Sequence, residues 1–151
     1  RMIDGVLIKP LKRHADERGF LMEMLRADDE EFFERYQQSY ISLNYPGVIR
    51  AWHYHLKQKD IWVCVKGMIK AVMYDVREGS PTQGEVQEVF MGDHNMVMLK
   101  IPIGVYHGYK TVGVEPSLLI NFPDQLYDPS DEYRAPYDSD EIPYDWDIKI
   151  T

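Results

Sequence analysis

From residue 38 onward, apolar and polar residues alternate with a period of two over many short runs. This alternation is typical of half-buried β-strands. Turn signals such as Pro46-Gly47 and Lys66-Gly67 separate the runs. The predicted strands cover residues 38–45, 48–55, 61–65, 69–76, 86–91, 96–101, 105–111 and 118–122. Many short strands at near-regular spacing predict an all-β, closed antiparallel double sheet of the jelly-roll kind.

The first 37 residues have a different pattern. Residues 3–9 and 20–25 are predicted strands, and Glu23 lies inside the otherwise apolar second run. A carboxylate there needs a partner, which is either a hydrogen bond in the core or a ligand. Between these strands and the main β region, residues 28–36 are predicted to form one short helix. Asp28 is suited to cap it, and aromatic residues form its apolar stripe.

Length and charge limit the classes of protein that are possible. A chain of 151 residues suits a single domain with its own core. The net charge is −8, and residues 124–147 alone carry nine Asp and Glu against Arg134, which is also −8. The remainder is neutral and has no basic cluster, so the chain is a poor candidate for binding nucleic acid or an anionic membrane.

The last segment, residues 123–151, is acidic and rich in tyrosine and proline without any period. Its aromatic content argues against a disordered tail. We expect an aromatic strap that packs on the sheets or on a neighbouring subunit. Together with the exposed edges of an incomplete sandwich, this strap favours a homodimer.

The chain has a single cysteine, Cys64, inside an apolar run, where a buried thiol is expected. No apolar segment approaches the roughly 20 residues needed to span a bilayer. A reducing, cytoplasmic location is expected from these two features.

Histidines converge on one predicted strand. His53 and His55 are two residues apart, so both imidazoles project from the same face. Asp60 begins the next strand, and His107, on a later strand, is a possible third imidazole. Such a set makes either a proton-transfer site or a metal site, and the spacing leaves both open.

Several short motifs follow one another along the chain in a specific order. They are Asp16-Glu-Arg-Gly-Phe20 with Glu23, Gln38 and Ser42; Gly47-Val-Ile-Arg50 leading into His53-Tyr54; Tyr74-Asp-Val-Arg77 with Gly79-Ser-Pro-Thr82; Ile101-Pro-Ile-Gly104 with His107-Gly108; and Tyr127 before Asp128-Pro129. With these motifs the chain resembles the dTDP-4-dehydrorhamnose 3,5-epimerase family of cupins. The resemblance implies a cupin-type double-stranded β-helix.

The resemblance also implies a reaction and the residues that perform it. Members invert C3, C5 or both of a dTDP-4-keto-6-deoxyhexose through an enolate and require no cofactor. His53 would be the base that removes a proton beside the 4-keto group, and Tyr127 would return a proton to the opposite face. The substrate would be held by a further set: Arg18 and Arg50 at the diphosphate, Glu23 at the nucleotide base, Gln38 and His107.

Two departures from the family concern the enolate. Asp60 stands where the family has a lysine that helps hold the enolate oxygen, and His55 stands where the family has a glutamine. Longer members also carry an aspartate that orients the catalytic histidine, in a segment beyond the part of the family that this chain covers. We therefore expect His53 to need a different partner.

The same positions resemble the metal-binding motifs of cupins. His53, His55, Asp60 and His107 have the spacing of a site for Zn, Fe, Mn or Ni, and such an ion would replace the missing lysine. Against this, metal-free epimerases also keep a histidine at the His107 position. Asp60 could instead pair with His55 or with Lys57 or Lys59.

Three functions therefore remain. The first is a nucleotide-sugar epimerase. The second is a metal-dependent cupin acting as a sugar isomerase or oxygenase. The third is a non-catalytic relative that binds a sugar nucleotide.

Overall fold

The computed structural model describes residues 2–150, and this part of the chain is built almost entirely from strands and turns. The strands are β1 Leu7–Pro10, β2 His14–Asp16, β3 Gly19–Leu21, β4 Tyr40–Asn44, β5 Ile49–Tyr54, β6 Asp60–Lys66, β7 Met68–Asp75, β8 Val86–Gly92, β9 Val97–Ile101, β10 Val105–Val112, β11 Ser117–Asn121 and β12 Tyr133–Arg134. A 3₁₀ turn, Pro129–Asp131, precedes β12. The eight strands predicted from residue 38 to 122 all form, each with its ends within two residues of the prediction.

Two five-stranded antiparallel sheets face each other. Their strand orders are β1-β9-β6-β11-β4 and β12-β5-β10-β7-β8, and β2 and β3 form a separate hairpin. Alternate residues of β6, β7 and β10 point between the sheets, where Trp62, Cys64, Ala71, Met73 and Tyr109 pack in one core. The alternation of side-chain direction along these strands thus creates the predicted jelly roll, and Cys64 is buried as expected.

The predicted helix at residues 28–36 is wrong. The segment forms two successive turns, in which the carbonyl of Asp29 accepts from Phe32 N at 2.9 Å and from Phe33 N at 2.7 Å. The carbonyls of Glu31 and Phe32, which a helix would use for its next turns, instead accept from Lys100 Nζ at 2.9 and 3.0 Å. Phe32 is buried on the outer face of β6 and β9, so tertiary contacts override the local helical pattern.

The prediction of a strand over residues 20–25 is also wrong beyond residue 21. Met22, Met24 and Leu25 cover the outer face of the β1-β9-β6 sheet without pairing as a strand. Glu23 is exposed and forms an ion pair with Arg26. Its position in an apolar run therefore reflects a covering loop and not a buried carboxylate.

Strand β5 carries an irregularity that matters for the site. His107 pairs with His53, whereas Tyr109 pairs with Arg50, so β5 has one more residue than β10 across this stretch. Such a bulge places side chains three residues apart on one face. Gly108 lies at this point, where an added Cβ would come within 2.4 Å of the Ala51 side chain. The bulge therefore turns both Arg50 and His53 toward the space between the sheets.

The C-terminal segment packs along β5 of its own chain. Tyr133 and Arg134 of β12 pair with Tyr54 and His53, and the backbones of Ala135 and Trp52 exchange hydrogen bonds at 2.9 and 3.1 Å. Beyond β12, Trp52 packs in a buried cluster with Ile142 and Trp146, and Tyr144 packs against its edge. Residue 151 of the predicted strap lies outside the described residues. Within residues 2–150, no helix is long and apolar enough to cross a membrane.

Candidate active site

One end of the sandwich opens into a cavity of about 420 Å³ between the two sheets. Strands β4, β5, β6, β10 and β11 contribute most of its wall, and the segment from Tyr127 to Arg134 closes one side. The lining carries an unusual density of polar groups for the interior of a β-sandwich. They are Tyr40, Ser42, Arg50, His53, His55, Gln58, Asp60, His107, Tyr109, Asn121, Tyr127, Glu132 and Arg134.

His53 and Tyr127 face the same cavity and are connected by Glu132. One carboxylate oxygen of Glu132 lies 3.5 Å from His53 Nδ1, and the other accepts a hydrogen bond from the Tyr127 hydroxyl at 3.2 Å. Arg134 Nη2 donates to Glu132 at 2.9 Å. Among the described residues, the buried His53 Nδ1 has no hydrogen-bonding partner within bonding geometry, and the Glu132 carboxylate lies 3.5 Å from it.

The environment keeps His53 neutral. Burial lowers the pKa of His53 to about 4, and the neighbouring His107 and Arg134 act in the same direction, while Glu132 opposes them. A neutral imidazole can accept a proton, but a base with so low a pKa is weaker than the near-neutral optimum. Closer approach of the Glu132 carboxylate to Nδ1 would strengthen it.

Asp60 lies at the start of β6, fully buried, with two imidazoles beside it. Its Oδ2 is 3.1 Å from His107 Nε2 and 3.5 Å from His55 Nε2. Its Oδ1 accepts from Gln58 Nε2 at 2.7 Å and from Asn121 Nδ2 at 3.0 Å. Burial alone would raise the pKa of Asp60, but His107, His55 and the Asn121 amide outweigh it and lower the pKa to about 2. The carboxyl is therefore ionised.

Of the partners suggested for Asp60, His55 is present, and the lysines are not. Lys59 Nζ pairs with Glu34 at 2.9 Å, and within residues 2–150 no lysine or arginine forms an ion pair with Asp60. The residues able to hold a metal ion are His55, Asp60 and His107, whose ligand atoms all lie within 4.8 Å of one another. His53, the fourth residue of the predicted metal set, lies outside this group.

Two guanidinium groups reach the cavity. Arg50 Nε donates to Asn44 Oδ1 at 2.6 Å, and Asn44 in turn donates to the Tyr109 hydroxyl at 2.7 Å. Arg134 is held by Glu132 at the strap side. Planar, multi-donor groups of this kind suit phosphate oxygens.

Three predicted substrate-binding residues are not part of this wall. Arg18 is exposed on the β2-β3 hairpin and pairs with Asp16 at 2.6 Å. Glu23 is exposed beside Arg26, and Gln38 is half-buried ahead of β4. None of the three lines the cavity of its own chain.

Sequence reasoning missed Glu132, Arg134 and Asp131. Asp131 ties the strap to the turn after β5, because its carboxylate accepts from the backbone N–H groups of residues 56–58 at 2.9 to 3.2 Å. One signal was available: Arg134 is the single basic residue in an acidic segment and lies two residues from Glu132. The strap was expected to pack and to place Tyr127 at the site, but the contribution of its later residues Glu132 and Arg134 to the cavity wall was not predicted.

A jelly roll with a histidine, a tyrosine and arginines around one polar cavity is the arrangement of an acid–base enzyme for an anionic substrate. The model of the dTDP-4-dehydrorhamnose 3,5-epimerase family matches residues 1–151, and the chain belongs to this family. The predicted family and the all-β cupin fold are thereby confirmed. Epimerases of this family are isomerases that need no cofactor.

Similar chains span nearly the same length. A probable low-salt glycan biosynthesis epimerase of Haloferax volcanii is 50% identical, with 98% of this chain and 97% of that protein covered. A spore coat polysaccharide biosynthesis protein of Bacillus subtilis is 45% identical, with 99% of each covered.

Solved structures agree with the fold. A dTDP sugar isomerase from Desulfovibrio desulfuricans superposes with a TM-score of 0.91 at 32% identity, over 95% of this chain and 92% of that one. A dTDP-6-deoxy-D-glucose-3,5-epimerase from Legionella pneumophila, solved with dTDP-4-keto-L-rhamnose, gives 0.87 at 28% identity, over 99% and 82%.

Proposed function

We propose that the protein inverts C3, C5 or both of a dTDP-4-keto-6-deoxyhexose by proton abstraction and reprotonation. The observation that carries this proposal is the pairing of His53 and Tyr127 across Glu132 at one cavity. His53 takes the proton from the carbon beside the ketone, the C–H electrons move into the enolate, and Tyr127 returns a proton to the other face. The substrate loses one proton and gains one, and proton exchange with solvent returns His53 and Tyr127 to their starting states.

Glu132 is proposed as the residue that orients His53. On closer approach its carboxylate would accept a hydrogen from Nδ1, which would fix the tautomer and leave Nε2 free to act as the base. The same carboxylate holds the Tyr127 hydroxyl, so one residue would position both the acid and the base. The distances that support this proposal are 3.5 Å from Glu132 to His53 Nδ1 and 3.2 Å from Glu132 to the Tyr127 hydroxyl.

The diphosphate is proposed to bind Arg50, with Arg134 as a second cation within the same chain. Arg18, Glu23 and Gln38 do not line the cavity of their own chain. They can bind substrate only if they reach the cavity of a second copy of the chain. A homodimer would allow this. The hairpin that carries Arg18 exposes Phe20 and Leu21, and the edge strand β4 exposes Ile41 and Leu43, so both surfaces are apolar enough to be buried against a second copy.

The dimer proposal is tested by light scattering together with nucleotide binding. A dimer in which Arg18→Ala weakens dTDP binding by about 1 to 3 kcal/mol supports the shared site. A monomer at micromolar concentration, or unchanged dTDP binding, contradicts it.

We further propose that residues 1–151 act as one cupin domain with the strap 123–151 as part of its site, and that the protein works in the cytoplasm, where the thiol of Cys64 stays reduced.

Solvent deuterium exchange into dTDP-4-keto-6-deoxyglucose tests the main proposal. His53→Asn should lower exchange at both C3 and C5 by about 10²- to 10⁴-fold, because the base is lost. Tyr127→Phe should retain exchange while impairing net inversion, since the enolate still forms but the opposite-face donor is gone. The exposed His94→Gln, in the turn after β8, is the matched control.

Wild-type exchange in the His53 variant would contradict the epimerase. If the unaltered protein binds dTDP but exchanges no proton, the non-catalytic relative is the better description. One observation favours the metal-dependent cupin, namely the convergence of His55, Asp60 and His107. A metal ion held there would act on the oxygen of the same enolate.

A further inference from the structure

We propose that His55, Asp60 and His107 form a binding site for a divalent metal ion in the wall of the cavity, and that the ion polarises the 4-keto oxygen of the substrate. The catalytic role rests on the epimerase function proposed above, whereas the metal site does not.

The spacing of the three ligand atoms fits a metal ion. Bonds of about 2.0 to 2.2 Å to nitrogen and oxygen place the ligand atoms of a tetrahedral centre about 3.4 Å apart. Asp60 Oδ2 lies 3.1 Å from His107 Nε2 and 3.5 Å from His55 Nε2. The three atoms can therefore share one ion with little rearrangement.

The tautomers of the two imidazoles also point to a cation. His55 Nδ1 lies 2.8 Å from the Asp131 carbonyl oxygen, and His107 Nδ1 lies 3.1 Å from that of Val105. A carbonyl only accepts, so each Nδ1 carries a hydrogen, and each ring directs Nε2 at the Asp60 carboxylate, where both Nε2 atoms and Oδ2 can bind one ion. Histidine ligands of metals are typically held in this way, through the other ring nitrogen.

Hydrogen bonds also orient the Asp60 carboxylate for metal binding. Its Oδ1 is taken by the amides of Gln58 and Asn121, which leaves Oδ2 for the shared position. Asp60 is only 3% exposed, and within residues 2–150 it has no ion pair with a lysine or arginine. A buried carboxylate without a fixed counter-charge is costly, and a bound divalent ion removes that cost.

The donor set indicates the kind of ion and its use. Two imidazoles and one carboxylate suit borderline ions such as Zn²⁺ and exclude the oxygen-rich cages of Ca²⁺ and Mg²⁺. Three protein ligands leave a coordination position open, and all three residues line the cavity, so that a ketone oxygen can occupy it. The ion would supply the positive charge that a lysine provides at the Asp60 position in the family.

Cobalt titration of tag-free, chelator-treated protein tests the site without substrate. Co²⁺ should bind at one equivalent per chain and give the visible absorption bands of a four- or five-coordinate ion. Asp60→Asn and His55→Gln should each weaken Co²⁺ binding at least tenfold, whereas His94→Gln should not. Circular dichroism of each variant verifies folding. A wild-type protein that gives no visible bands, or folded Asp60 and His55 variants that bind Co²⁺ normally, would overturn the site and leave a shared proton as the counter-charge.

Deuterium exchange with chelator-treated and Zn²⁺-loaded protein tests the role. Faster exchange in the loaded protein supports it, and equal exchange in both overturns it. Normal Co²⁺ spectra with no exchange in either preparation support the site while contradicting the epimerase function, so the two proposals fail separately.

Discussion

Two buried aspartates, Asp60 at the start of β6 and Asp75 at the end of β7, show opposite ways of keeping a carboxylate in a protein interior. Asp75, at the end of β7, is 0% exposed, and its partners all come from the following turn. Arg77 donates from Nε and Nη2 at 2.9 Å each, and Ser80 and Thr82 hydroxyls donate at 2.7 Å. Burial raises the pKa of Asp75, but these partners outweigh it and hold the pKa well below its usual range.

Asp60 is nearly as buried but is held by distant elements. Asn121 belongs to β11 and His107 to β10, while a fixed cation is absent among the described residues. Asp75 and its turn form a self-contained structural unit, since charge and counter-charge lie within eight residues. Asp60 has its hydrogen bonds and two imidazoles beside it, but within residues 2–150 no lysine or arginine pairs with it, which suits a group that binds a ligand.

Replacement of the structural carboxylate should have the largest effect on folding. We expect Asp75→Asn to lower the free energy of unfolding by about 3 kcal/mol at pH 7, because the half-buried Arg77 loses its ion pair. Urea denaturation measures this change. Asp60→Asn in metal-free protein is the matched comparison and should lose less stability, because the amide keeps an oxygen for the hydrogen bonds from Gln58 and Asn121, and within residues 2–150 no lysine or arginine loses an ion pair. Equal losses in the two variants would erase the distinction between the aspartates.

Glu132 is a third carboxylate to compare with Asp75 and Asp60, because it has a fixed partner in Arg134 and also faces His53. Glu132→Gln should slow deuterium exchange into the 4-keto sugar about tenfold, or about 1.4 kcal/mol in barrier, since a neutral amide strengthens the base less. Unfolding in urea should change little. Glu141→Gln, on the exposed part of the strap, is the control. A Glu132 variant with unaltered exchange would remove this residue from the reaction.

The smallest effect is the pH dependence of the Asp75 unit. The pKa of Asp75 is depressed in the folded state, so its stabilisation is complete above the ordinary aspartate pKa near 4 and is lost as pH falls below it. The difference in unfolding free energy between the unaltered protein and Asp75→Asn should therefore be constant from pH 7 to 5 and shrink by about 1 kcal/mol by pH 3. A difference that grows on acidification would contradict the depressed pKa.

The β-region was predictable because side chains alternate in direction along its strands. Trp62 and Cys64 of β6 point between the sheets, while Ile61 and Val63 point outward. Both faces are covered, so all four residues are buried. The turn residues in the sequence nevertheless marked where the strands end. Residues 28–36 could not be predicted, because Lys100, about seventy residues away, takes the carbonyls that a helix needs. Local sequence does not contain that contact.

The site was predictable in part for a similar reason. The spacing of His53 and His55 fixed their common face, and Asp60 was placed at the start of its strand. The pairing of Glu132 with His53 depends on where the strap lies along β5, and nothing in the strap's aperiodic sequence determines this register. Arg50 and His53, three residues apart, share a face only because of the bulge opposite Gly108.

The strap has a consequence for how such proteins diversify. Strand β12 has only two residues, and the core between the sheets has its own set of buried side chains that excludes them. Substitutions at Arg134, which lines the cavity from an exposed position, can therefore reshape one wall while Asp131, Ile142 and Trp146 keep the strap attached to the sandwich. Selection for a new sugar can act on such exposed cavity positions without disturbing the buried contacts that hold the strap in place.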